Sequence, residues 1–135
     1  MTLRYYRIAL AVLSGFLLLL SGCGPKNVKQ FGPAYVNLSY NGGNCTQNGG
    51  TGVVDLYQNQ AVVYQGANTL SQFQVQFTTC PFSSCPVTSG NGAPVNIGQP
   101  NQGTIGNTYN YSSVTINNQQ CNGVGSMGVR IRGGP

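Results

Sequence analysis

The chain has 135 residues, no histidine, six basic residues and one acidic residue, Asp55, which gives a net charge of +5. This composition excludes paired-carboxylate, Ser-His-Asp and Cys-His catalysis. It predicts a protein without enzymatic activity, because general acid-base chemistry falls mainly to His, Asp and Glu. Asp55, between Val54 and Leu56, is expected to be a hydrogen-bonding residue of a strand edge or turn. The basic residues do not cluster, so no nucleic-acid interface is expected.

The N-terminal segment has the layout of a secretory signal peptide. Arg4 and Arg7 form a basic start, and the apolar run 8–20 follows. A permanent anchor helix is the alternative, but this run is shorter than the about 20 apolar residues that span a bilayer. The small residues at 21–22 favour cleavage before Cys23, so residues 1–22 are predicted to be a cleaved signal peptide.

The tetrapeptide Leu20-Ser21-Gly22-Cys23 resembles the lipobox of bacterial lipoproteins. The resemblance implies a diacylglyceryl thioether on the Cys23 sulfur, cleavage before Cys23 and acylation of the new amine, with membrane lipid as the partner. Two or three acyl chains would anchor the protein stably, at about 0.8 kcal/mol per buried methylene. Gly24, where some family members carry Asp, implies the outer membrane of the bacterial envelope rather than the inner membrane. Residues 23–32 are expected to form the lipidated tether, and the chain from Cys23 onward has a net charge of +3.

Short alternating or β-branched segments predict strands between residues 33 and 132. The segments are 33–40, 51–57, 60–65, 71–79, 95–97, 108–116 and 127–132, with a turn at 58–59 and loops over 41–50 and 80–94.

Three of these segments also predict which side chains face inward or where the strand is irregular. FQVQF at 73–77 alternates apolar and Gln residues, which predicts one buried and one solvent-facing side. In TYNYSSVTI the phase of the apolar residues changes, which predicts a β-bulge near residues 112–113. In the last strand Val129 and Ile131 are expected to face inward and the two arginines outward.

Six to eight short strands separated by turn signals predict an all-β fold, a small antiparallel Greek-key β-sandwich that occupies residues 33–132 as one domain. The order of FQVQF, CPF, the segment 106–111 and the final Val129-Arg130-Ile131 is similar to cupredoxin-like domains. An immunoglobulin-like sandwich remains the alternative.

The cupredoxin resemblance implies a copper site of two His, one Cys and an axial Met. The chain departs from this pattern because it lacks histidine, so no copper, other metal or cofactor is expected. Met127 is expected to be a core residue.

Four cysteines follow Cys23: Cys45, Cys80, Cys85 and Cys121. An exported domain meets an oxidising compartment, so two disulfides are expected. Of the three pairings, Cys80–Cys85 with Cys45–Cys121 is favoured, because it closes one short loop and joins two glycine-rich loops. A metal site of four cysteines is the alternative, but structural zinc usually uses pairs of cysteines two to four residues apart.

The sequence predicts a non-catalytic structural or interaction module of the cell envelope, with an envelope protein as partner. Glycan or small-ligand binding is the second hypothesis, since tyrosine rings stack on sugars. Its candidate residues are Tyr57, Tyr64, Tyr109 and Tyr111, which as buried core residues would have a simpler explanation. Self-assembly through the Gln-rich strand 72–77 is the third.

Overall fold

A computed structural model describes residues 31–67 and 71–134. This part of the chain forms ten strands and one 3-10 turn, Val124–Ser126. The strands are β1 (Ala34–Asn41), β2 (Asn44–Gln47), β3 (Val53–Tyr57), β4 (Val62–Gly66), β5 (Phe73–Phe77), β6 (Val87–Ser89), β7 (Val95–Gly98), β8 (Thr108–Ile116), β9 (Gln119–Gln120) and β10 (Gly128–Arg132). The expected signal peptide, Cys23 and most of the tether lie outside the described residues.

The strands form two sheets packed face to face, which confirms the predicted all-β sandwich. Sheet A has the order β2-β1-β4-β7, and sheet B has the order β3-β10-β8-β5-β6, with β9 paired to β8. Most neighbours are antiparallel, as expected. Each sheet also contains one parallel pair, β1 with β4 and β3 with β10. Local alternation does not report the direction of a distant partner strand, so these two pairs were not predicted.

The strand order differs from that of an immunoglobulin-like sandwich. An immunoglobulin constant domain has a sheet of order A-B-E-D, in which neighbours are antiparallel. Here the first strand lies between the second and the fourth and is parallel to the fourth. The chain also changes sheet between β2 and β3, where Asn48 and Gly49 have φ values of 49° and 80°. The immunoglobulin order is therefore not followed.

Strand β8 contains the predicted bulge. Gln76 of β5 pairs with Ser113, and Phe77 pairs with Tyr111, so Ser112 has no partner in the ladder. The extra residue shifts the side-chain phase by one position. Tyr111 and Val114 consequently both enter the core, with exposures of 2% and 0%.

The core lies between the two sheets and is formed by the alternating apolar residues. Ile131 of β10 lies opposite Leu56 of β3, and both side chains are fully buried. Phe77 packs edge-on against Phe82 and Tyr111, with ring centroids 5.8 and 5.0 Å apart. Because the apolar side chains of sheet B face this core, the polar side chains that alternate with them point to solvent.

Two strands fall in segments that were expected to be loops. Strand β2 lies in the glycine-rich stretch 41–50 and pairs with β1 through a two-residue turn, in which Gly42 and Gly43 have φ values of 57° and 95°. A turn of this kind requires positive φ, which glycine adopts without strain. Strand β6 follows the short cysteine loop and pairs with β5. The chain therefore has more strands than the six to eight expected.

Candidate functional site

The outer surface of sheet B is polar where β5 and β8 lie side by side. Gln74 and Gln76 of β5 are exposed and lie opposite Thr115 and Ser113 of β8. Because side chains alternate across a strand, these polar residues share the face opposite the buried Phe73 and Val75. We call this surface the β5–β8 face.

A groove of about 350 Å³ lies at one end of the β5–β8 face, where β5 ends and β8 begins. We call it the Tyr109 cleft. The backbone N–H of Thr78 donates to the Asn110 carbonyl at 3.0 Å and closes the ladder at this end. The cleft is lined by Thr78, Thr79, Asn107, Thr108, Tyr109 and Asn110. Thr108 and Asn110 are exposed, whereas Tyr109 lies in register with the buried Val129 and packs against the core.

Two arginines share one carboxylate beside the Tyr109 cleft, so this cluster carries a net charge of +1. Arg130 of β10 lies between Thr108 of β8 and Asp55 of β3. Its guanidinium donates two hydrogen bonds to Asp55, at 2.7 and 3.1 Å, and Arg132 donates a third at 2.9 Å. These bonds lower the pKa of the Asp55 carboxyl to about 2 and raise the pKa of Arg130. Asp55 is therefore a strand-edge hydrogen-bonding residue, as expected, and remains ionised.

A second groove, of about 170 Å³, lies at the opposite end of the β5–β8 face, where β5 begins and β8 ends. We call it the Gln74 cleft. Gln74 lies in register with Thr88 of β6 and Thr115 of β8, and all three line the cleft. Gln72 and Asn118 complete its polar rim. Both clefts thus offer neutral hydrogen-bonding groups.

The four tyrosines that the sequence suggested as ligand-binding residues lie in different environments. Tyr64 and Tyr111 lie in the core, and Tyr109 is half-buried beside the cleft and packs against the core. Tyr57 is half-buried and stacks on Phe31, with ring centroids 5.0 Å apart. Tyr64 and Tyr111 are therefore corrected to core residues, because alternation along β4 and β8 directs them inward and away from any sugar.

The two buried tyrosines belong to a hydrogen-bonded chain that joins the sheets. The Tyr111 hydroxyl donates to Gln47 Oε1 at 2.6 Å and lies 2.9 Å from the Tyr64 hydroxyl. Gln47 Nε2 donates to the carbonyls of Gly52 and Gly128, at 2.5 and 2.7 Å. Burial raises the pKa of both tyrosines, so both hydroxyls stay protonated. This network is structural, because every member is used internally.

Both expected disulfides are present. Cys45 of β2 is bonded to Cys121, and Cys80 is bonded to Cys85, with Cα atoms 5.4 and 6.2 Å apart. The first closes a separation of 76 positions and the second a separation of 5. Since all four sulfurs are used in these bonds, the alternative of a four-cysteine metal site is wrong.

Residues 31–67 and 71–134 contain no group of three or more His, Cys, Asp or Glu placed to hold a metal ion. Met127 is fully buried in the core. Over the same residues there is no helix long and apolar enough to cross a membrane.

The chain was compared with known proteins in three ways. It matches no protein-family model, no curated protein and no solved structure.

Sequence reasoning missed two parts of this arrangement. The Tyr109 cleft was predictable in part, since the alternation in TYNYSSVTI predicts that Thr108 and Asn110 point away from the core. The role of Gln47 carried no local signal, because its partners Tyr111 and Gly128 are 64 and 81 positions away.

Proposed function

We propose that this protein is a bacterial lipoprotein, anchored to the envelope through Cys23, whose β-sandwich is a non-catalytic structural or interaction module. The tetrapeptide Leu20-Ser21-Gly22-Cys23 at the end of an apolar run supports the lipid anchor. Two disulfides in a small domain suit an oxidising, exported location. Gly24 favours the outer membrane as the site of the anchor.

The observation that carries the non-catalytic assignment is the state of Asp55. It is the only Asp or Glu side chain in the sequence. Three hydrogen bonds from Arg130 and Arg132 hold it as a carboxylate of low pKa on the outside of sheet B. A general base works best when its pKa is near the working pH, and the pKa of Asp55 is far below neutral pH. Binding is therefore a better account of the surface than catalysis.

The anchor is tested by the intact mass of the protein extracted from membranes, beside a Cys23→Ser variant. We expect a mass that begins at Cys23 and includes acyl chains, and a variant that is not lipidated. With alkylation, four further thiols should react only after reduction. An unprocessed chain, or one without acyl chains, would remove the lipoprotein assignment.

The interaction role is tested by chemical crosslinking in whole cells, followed by purification of the protein and mass spectrometry. We expect specific envelope proteins to be captured by the lipidated protein and depleted with Cys23→Ser, which is not held at the membrane. Repeatedly empty captures would count against a protein-binding module.

Glycan or small-ligand binding is the second candidate, and the uncharged polar lining of the two clefts favours it. Tyrosine rings pack on the apolar faces of sugars, and amide and hydroxyl groups bond sugar hydroxyls. In the cleft of about 350 Å³ the exposed Thr108 and Asn110 offer such polar groups, whereas the Tyr109 ring packs against the core. Tyr57, the other of the four candidate tyrosines that is not fully buried, is stacked on Phe31.

A further inference from the structure

We propose that the β5–β8 face binds an extended, neutral polysaccharide chain that reaches from the Tyr109 cleft to the Gln74 cleft. The proposal rests on the second candidate function above and adds the ligand's charge, shape and line of contact. It requires that the two clefts belong to one surface, that the residues lining the clefts are uncharged, and that other kinds of partner fit this surface less well.

The two clefts are the ends of one continuous polar row. β5 and β8 are antiparallel, so the end of β5 meets the start of β8 at the Tyr109 cleft, and the start of β5 meets the end of β8 at the Gln74 cleft. Gln76 and Ser113 lie paired between the clefts. Gln72 and Thr78 are six residues apart, which corresponds to about 20 Å of extended chain. A ligand that uses both clefts must therefore be long rather than compact.

The row offers neutral hydrogen-bonding groups. Most residues that line the two clefts carry amide or hydroxyl groups, and no charged residue lines either cleft. The nearest cation, Arg130, is paired with Asp55. Asn and Gln side chains both donate and accept, which matches the hydroxyl groups of a sugar, each of which also donates and accepts. An uncharged sugar polymer therefore matches the residues that line the clefts, none of which would form an ion pair with a charged ligand.

A protein partner fits the β5–β8 face poorly. Protein interfaces depend on a few large aromatic or apolar anchors. The exposed large apolar side chains among the described residues are Tyr35, Tyr40, Val53 and Ile105, and none of them lines either cleft. Addition of a peptide strand needs a free sheet edge. β8 and β5 are interior strands, with partners on both sides.

The test measures binding of maltohexaose, cellohexaose and chitohexaose to the full lipidated protein in a detergent without a sugar headgroup, by titration calorimetry. We expect at least one hexasaccharide to bind, and to bind at least tenfold more tightly than its disaccharide, because only the longer ligand reaches both clefts. No binding at millimolar sugar, or equal affinity for both lengths, would overturn the proposal.

Two variants and a matched control locate the contact. Asn110→Ala in the Tyr109 cleft and Gln74→Ala in the Gln74 cleft should each weaken hexasaccharide binding about fivefold, since each removes an exposed amide that makes one or two hydrogen bonds. Tyr35→Ala, at a tyrosine half-exposed on β1 of the opposite sheet, should leave the affinity unchanged. A loss of binding in Tyr35→Ala alone would place the sugar elsewhere and overturn the proposal.

The same preparation separates this inference from the lipoprotein assignment. Its intact mass reports lipidation independently of sugar binding. A lipidated protein that binds no hexasaccharide would overturn the polysaccharide site and leave the anchor intact. An unlipidated protein that binds through Asn110 and Gln74 would support the site and remove the anchor.

Discussion

The hydroxyl groups of Tyr64 and Tyr111 lie 2.9 Å apart between the sheets, one carried by β4 of sheet A and the other by β8 of sheet B. The Tyr111 hydroxyl donates its one hydrogen to Gln47 Oε1, so the hydrogen between the tyrosines comes from Tyr64. Tyr111 thus holds the middle of the chain and Tyr64 its end.

This order predicts unequal costs for two similar substitutions. Tyr111→Phe leaves both Gln47 Oε1 and the buried Tyr64 hydroxyl without a partner, and should lower the free energy of unfolding by about 2–4 kcal/mol. Tyr64→Phe leaves only one unused acceptor site and should cost about 1 kcal/mol. Urea unfolding measures both, with the exposed Tyr35→Phe as control. Equal losses at the two positions would contradict the direction assigned to the hydrogens.

The Asp55 carboxyl should control stability in acid. Its pKa is lowered from 3.8 to about 2 in the folded protein, so its stabilising contribution is present above pH 4 and is lost as the pH falls through about 2. Since Asp55 is 41% exposed, we expect the loss to be below about 1 kcal/mol. Thermal unfolding between pH 7 and 1.5 should show a constant midpoint down to pH 4 and a decrease below it.

Substitution of each partner tests that origin. Asp55→Asn should abolish the decrease in acid, because the sequence has no other side-chain carboxylate. Arg130→Gln removes two hydrogen bonds and should reduce the decrease more than Arg132→Gln, which removes one. A decrease that persists in Asp55→Asn would show that another group causes it.

Gly128 should not tolerate a side chain. A Cβ at this position would overlap the carbonyl oxygen of Tyr109 and lie 2.9 Å from the Asn110 Cα, because β10 and β8 approach closely there. Backbone atoms on both sides would have to move. Gly128→Ala should therefore lower the free energy of unfolding by about 1–3 kcal/mol in chemical denaturation.

Gly125 provides the matched control for that substitution. A Cβ at Gly125 has no neighbour within 4 Å, and its φ is not positive. Gly125→Ala should leave stability unchanged or slightly increased, because alanine restricts the unfolded chain. A similar loss in both alanine variants would point to the loss of glycine itself rather than to crowding at β10.

The two disulfides should differ in their contribution to stability. Cys45–Cys121 spans 76 positions and Cys80–Cys85 spans 5, so the chain-entropy relation gives about 4 and about 2 kcal/mol. The paired variants Cys45→Ala/Cys121→Ala and Cys80→Ala/Cys85→Ala should lose stability in that order in guanidinium unfolding. A greater loss from the short loop would mean that local packing around Phe82 dominates over loop closure.

The parts of the fold that local pattern controls were predictable. The alternation in 73–77 identified β5 and its polar face, and the phase change near Ser112 identified the bulge. Strand β2 was missed because its buried positions are Cys45 and Gln47, and a buried glutamine gives no hydrophobic signal. Strand β6 has only three residues, and one of its buried side chains is Ser89.

The candidate site was predictable only as a residue type. Tyrosine and asparagine suggested sugar binding, but accessible and buried tyrosines look alike in an alternating strand. Whether Tyr111 faces a neighbouring sheet or a ligand depends on pairing between strands far apart in sequence. Its contacts with Tyr64 and Gln47 join positions separated by 47 and 64 residues, which no local pattern encodes.

Both ends of the described chain meet at the same end of the sandwich. Gln60 Nε2 donates to the Gly32 carbonyl at 2.7 Å, and the backbone N–H of Gln58 donates to the Arg132 carbonyl at 3.0 Å. A fluorescent protein or affinity peptide attached beyond Gly134 would therefore sit beside Gly32, near the point where the described chain enters the sandwich. The hairpin turn at Gly42–Gly43 lies at the opposite end, since β1 runs away from Ala34, and an epitope inserted there would face outward.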